Sequence, residues 1–117
     1  MKNDFNSPQV LNINADHTFL FGNGLVQVMF DSEEVACGKF ILQEGVEGST
    51  DIHEKAMEIA YVIKGKVEYS IFGENFIVNS GQAIFIPPNF PHDVRNIGSG
   101  EASVFWIFAP NDHIHNY

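Results

Sequence analysis

The chain has 117 residues, 44% of them hydrophobic, which suits a single globular domain with a core of its own. Fifteen Asp and Glu face six Lys and Arg, a formal net charge of −9 that disfavours nucleic acid and anionic membranes as partners. Cys37 is the single cysteine, which excludes an internal disulfide and a cysteine-based zinc site.

Residues 1–16 are polar and Asn-rich and read as an N-terminal arm. They hold no apolar signal core, and no stretch approaches a membrane span, so a soluble cytoplasmic protein is expected. Thr18 to Phe21 and Leu25 to Phe30 are β-prone runs around the turn Gly22-Asn23-Gly24, and Val35 to Leu42 is the next strand. A Gly- and Glu-rich loop fills 43–50, Ile52-His53 begins a short strand, and Glu58 to Ile63 is a β-branched strand. After Lys64-Gly65-Lys66, Val67, Tyr69 and Ile71 alternate with polar residues, the period of a half-buried strand. Phe76 to Val78, Ala83 to Ile86, His92 to Asn96 and Ser103 to Phe108 complete the series between Gly/Asn turns. The prolines of Pro87-Pro88-Asn89-Phe90-Pro91 cannot join a central ladder, so a fixed loop precedes His92. No helical stripe is present, and many short strands point to an all-β sandwich or barrel.

Two stretches carry metal-type side chains. The first is Gly45, five residues, Asp51, one residue, His53, four residues, Glu58, six residues, Gly65. The second is Gly81, five residues, Pro87, one residue, Asn89, two residues, His92, three residues, Asn96. Imidazole with carboxylate suits Fe, Mn, Zn or Ni as a divalent ion. Asp51 and His53, two apart, share a face if extended; Glu58 joins them only if the intervening connection resets the alternation.

Together the two stretches resemble the paired motifs of the cupin superfamily. In that alignment His53, Glu58 and His92 fall on the family's ligand positions. Asp51 stands where the family has a first histidine and Asn89 where it has a glycine. The resemblance implies an all-β double-stranded β-helix, a jelly-roll barrel over residues 1–117 with motifs at 45–65 and 81–96. It also implies one divalent metal at the barrel mouth on Asp51, His53, Glu58 and His92, a small-molecule ligand in the barrel, and a homodimer. Phe19, Phe21, Phe105 and Trp106 are the aromatics offered for that dimer contact.

Asp51 reads equally as a ligand or as a turn cap. If it ligates, two carboxylates cancel the charge of a divalent ion, so the pull on anionic substrates is weak and harder metals such as Mn(II) or Fe(II) are favoured. Glu58 is also a candidate base. Asn96 reads as a structural hydrogen-bonding residue, Lys55 as solvent-facing, Cys37 as a small buried residue and His17 as a surface partner of Asp16. His113 and His115 read as a solvated tail. Tyr61 and Tyr69 are strand aromatics first, and proton donors only if the fold places them in the pocket.

The expected function is a metal-dependent enzyme acting on a small oxygenated metabolite, as a dioxygenase, isomerase, dehydratase or cyclase. The alternatives are a non-catalytic module that binds a small molecule or metal, and a metal-free cupin.

Overall fold

The computed structural model describes residues 3–111. Nine strands follow one another: β1 (Thr18–Phe21), β2 (Gly24–Asp31), β3 (Ala36–Leu42), β4 (Met57–Lys64), β5 (Lys66–Ile71), β6 (Glu74–Asn79), β7 (Ala83–Ile86), β8 (His92–Asn96) and β9 (Ala102–Ala109). All pairings are antiparallel. They form a six-stranded sheet in the order β1-β2-β3-β9-β4-β7 and a three-stranded sheet in the order β6-β5-β8. Among the described residues no helix is long and apolar enough to cross a membrane.

The sequence alternation dictates which faces meet. Val26, Val28, Phe40, Val62, Val104 and Trp106 point inward from the large sheet; Val67, Tyr69, Ile71, Val78 and Val94 answer from the small one. Each such side chain buried contributes about 1.5–3 kcal/mol, so the contact between the two faces is the main source of stability. Gly38 makes room in it, because a Cβ there would stand 2.7 Å from Trp106 Cζ2 and 2.3 Å from Gln27 O. Gly65 joins β4 to β5 with φ 94°, a backbone that only glycine adopts freely.

The predicted strands are all present except the one at Ile52-His53. Asp51 makes an isolated bridge with His92, and the next antiparallel partner of Ile52 would be Pro91. Proline has no N–H to donate, so the ladder stops at one pair. His53 O instead accepts the Asn89 amide at 2.7 Å. Asn89 has φ 66°, a left-handed conformation that asparagine adopts more readily than most residues.

Three side-chain readings change or sharpen. His17 is not a surface partner of Asp16. Its carbonyl accepts Val28 N at 3.1 Å, which draws the residue against β2 and sets Nδ1 3.8 Å from Oδ2 of buried Asp31. Phe19, Phe21 and Trp106 line a pocket. Cys37 is buried, as expected, and burial raises its thiol pKa. His113 and His115 lie outside the described residues.

Candidate metal centre

Asp51, His53, Glu58 and His92 converge, each offering one ligand atom within 4.8 Å of the others. Different elements deliver them. Glu58 is the second residue of β4, on the inward parity of Ala60 and Val62. Its pairing with Phe108 of β9 and Ile86 of β7 fixes it over the barrel interior. His92 opens β8, opposite Ile71 of β5. Asp51 exchanges two 2.9 Å backbone hydrogen bonds with His92, and Ile52 then turns outward while His53 turns in. The alternation expected of a strand thus survives without a strand.

Glu58 Oε1 lies 3.1 Å from His53 Nε2 and 3.1 Å from His92 Nε2, and Asp51 Oδ2 lies 3.1 Å from His53 Nε2. His92 Nδ1 lies 2.9 Å from Phe90 O. That carbonyl can only accept, so Nδ1 carries the proton and Nε2 is left to face the cluster, the usual arrangement of a metal-ligating imidazole. Two imidazoles and two carboxylates, three of them buried, are a donor set suited to a borderline or hard divalent ion.

Without an ion the four groups hold one another. Burial pushes the His53 pKa down, but the carboxylates of Asp51 and Glu58 outweigh it and carry it up to about 9. His92 is raised as well: burial lowers it, and Glu58, the Phe90 carbonyl and Asp51 raise it further. Burial alone would raise Glu58; hydrogen bonds and charge from the two histidines hold it below the usual carboxylate range.

Beside this cluster lies a cavity of about 60 Å³. Phe19, Phe21, Phe40, Tyr69, Trp106 and Phe108 form most of its wall, with Val26 and Val94. Ser49, Asp51, Glu58 and His92 form its polar side. The aromatic wall runs into the cluster: Trp106 stacks on Phe108 at 4.7 Å between ring centres, and Phe108 lies 4.1 Å from His53. Tyr69, left open from sequence, does face the pocket, with its ring 6.3 Å from that of His92. Burial and the Glu58 charge raise its pKa well above that of a free phenol, so it stays protonated. The alternation of β5 put Tyr69 on the buried face, but only the pairing with β8 shows that this face is the pocket.

The other predicted positions fall where expected. Asn96 is buried and structural: Nδ2 donates to Leu42 O at 3.0 Å and Gly100 O at 2.8 Å, and Oδ1 accepts Gly98 N at 3.0 Å. Lys55 is exposed, and Tyr61 sits on the outer face of β4.

Residues 38–108 match the cupin domain family, so the chain belongs to it. A segment of 73 residues, 62% of the chain, is 32% identical to polyketide synthase CurC of Streptomyces cyaneus and covers 47% of that protein. The chain spans less than half the length of the curated relatives it matches. Among solved structures it is similar to TT1209 from Thermus thermophilus, with TM-score 0.68, 24% identity and coverage of 86% of this chain and 90% of that one. It is also similar to oxalate oxidase in complex with the substrate analogue glycolate, with TM-score 0.61, 26% identity and coverage of 67% and 43%.

Proposed function

We propose that this cupin holds one divalent metal ion on Asp51, His53, Glu58 and His92 and acts as an enzyme on a small oxygenated molecule in the adjoining pocket. The observation that carries this reading is the convergence of four ligand atoms within 4.8 Å at the polar side of an otherwise aromatic cavity. A bound divalent ion supplies Lewis acidity, which stabilises negative charge developing on a substrate oxygen. The chain's own groups supply the rest. The apolar wall excludes water, which strengthens every electrostatic interaction inside. The protonated Tyr69 faces the same cavity as a hydrogen-bond donor. Glu58, shared by both imidazoles, is suited to ligate and to take a proton when its hold on one of them loosens.

The test is elemental analysis of untagged protein beside His53→Ala and His92→Ala. About one metal per chain, lost in both variants, is the expected result. Absence of metal after anaerobic reconstitution with Fe(II), Mn(II), Zn(II) and Ni(II) would overturn the reading. A metal-loaded protein with no turnover on any oxygenated substrate would leave a binding module instead. We also propose that two copies pair through the outer face of β4 and β7, where Ile59, Tyr61, Ile63 and Phe85 are exposed side by side.

A further inference from the structure

The pocket beside the ligand cluster has an unusual balance of surfaces. Six of its twelve lining residues are aromatic and two are valines. Its charged groups are Asp51, Glu58 and, when protonated, His92. No lysine or arginine is among the lining residues. The described cations are accounted for elsewhere. Arg95 lies on the outer side of β8, 2.7 Å from Glu68 and 3.9 Å from Glu47. Lys55, Lys64 and Lys66 are exposed, and Lys39 shares the outward parity of β3.

That balance bears on ligand charge. A short dicarboxylate brings two negative charges into a cavity whose wall offers them no lysine or arginine. Two site carboxylates already match the charge of a divalent ion, so the ion retains little net attraction for a second anion. Removing a carboxylate from water without a paired cation costs several kcal/mol. A neutral ring meets the opposite situation, because its faces and edges find aromatic partners on all sides. Size narrows the choice further. At about 10–15 Å³ of such space per water, the 60 Å³ cavity corresponds to about four to six waters, the bulk of one six-membered ring with an oxygen substituent.

We propose that the pocket takes one uncharged planar ring bearing an oxygen donor, a phenol or cyclic enol, and discriminates against short dicarboxylates such as oxalate. The ring lies against Trp106, Phe108 and Phe40, and its oxygen is directed to the side formed by Glu58, His92 and Tyr69. This assignment rests on the functional reading above for the position of the oxygen. The choice of a neutral ring over a dianion rests on the aromatic pocket wall and on the two carboxylates beside it.

Trp106 is the chain's single tryptophan and lines the pocket, so its fluorescence reports occupancy directly. The experiment titrates Trp106 emission with phenol and with sodium oxalate, using Zn(II)-loaded and chelator-treated protein whose zinc content is measured separately. Saturable change with phenol at a concentration at least tenfold below that needed for oxalate is the expected result in the loaded protein. The Phe19→Arg variant, placing a cation on the pocket wall, is expected to reverse this order; gain of oxalate binding is not something a misfolded protein would show. Oxalate saturating at or below the phenol concentration in the zinc-loaded native protein overturns the proposal while leaving the metal site intact. A protein that takes up no zinc yet still binds phenol saturably overturns the metal reading and supports the aromatic pocket. No change of emission with either ligand also overturns the proposal.

Discussion

Asp51 and His92 bond to each other through their backbones, amide to carbonyl in both directions at 2.9 Å, while their side chains reach one cluster. The residue that departs from the family's first histidine is therefore anchored to a histidine of the same cluster whose ring is held by the Phe90 carbonyl. Its carboxylate contacts His53 Nε2 at 3.1 Å, which a mere turn cap would not require. Asp51→Ala is expected to weaken metal binding by at least about tenfold to a hundredfold, the loss already seen when only an outer partner of a metal ligand is removed. Glu58→Gln, which removes the carboxylate central to both imidazoles, is expected to weaken it more. Competition with a chromophoric chelator measures both, and an Asp51→Ala protein with native affinity would assign Asp51 to the loop alone.

The cluster makes the metal-free protein sensitive to pH in a defined direction. His53 has a folded pKa of about 9 against an ordinary 6.5, so its stabilising contribution is complete below 6.5 and is lost as pH rises through about 9. His92 acts with the same sign. Glu58 is depressed from 4.5, so its contribution is complete above 4.5 and is lost as pH falls through its folded value. Metal-free protein is expected to be most stable between about pH 4.5 and 6.5 and to weaken towards pH 9. Metal-loaded protein is expected to keep its stability above pH 6.5, because ligation needs the imidazoles deprotonated. Urea unfolding across this range decides it, and a flat profile for the metal-free form above pH 6.5 would contradict the arrangement of charges.

Gly38 lies under Trp106 with no space for a methyl group. Gly38→Ala is expected to destabilise by about 1–3 kcal/mol through overpacking, and to shift Trp106 emission because the indole must move. A stable variant with native emission would show that the β2–β3 ladder yields instead.

Asn96 closes three backbone groups, two in the β8–β9 loop and one at the end of β3. Asn96→Ala leaves the buried Leu42 carbonyl without this donor and is expected to cost about 2–4 kcal/mol in chemical denaturation. By contrast, Asn89→Gly is expected to be neutral, since φ 66° suits glycine, whereas Asn89→Val is expected to destabilise by about 1–2 kcal/mol and to disturb His53 through the 2.7 Å bond.

The proposed pairing of two copies through β4 and β7 has its own check. Light scattering is expected to give a dimer for the native chain and a monomer for Phe85→Glu, which places charge on the exposed face. A native monomer would remove that proposal without touching the metal proposal.

Much of this architecture was legible in the residues. Alternation marked the strands, and the two spaced stretches marked the four clustered side chains. The rest depended on pairing. Ile52-His53 reads as a strand locally, but its antiparallel neighbour would be Pro91, and only the register shows that. Phe19, Phe21 and Trp106 look like surface aromatics until β1 and β9 are placed around the cavity. Asp31 and Asn111, eighty residues apart, form a buried 2.6 Å hydrogen bond that no local pattern announces.

Glu58 belongs to the six-stranded sheet and His92 to the three-stranded one. Any occupant that engages both therefore clamps the two layers at the barrel mouth more firmly than the 3.1 Å contact between Glu58 and His92 does on its own. Loading the site should slow amide hydrogen exchange across β8 and in the Asp51 segment bonded to it, well beyond the ligands themselves. Occupancy of a four-residue cluster would thus be readable as rigidity of an entire edge of the fold.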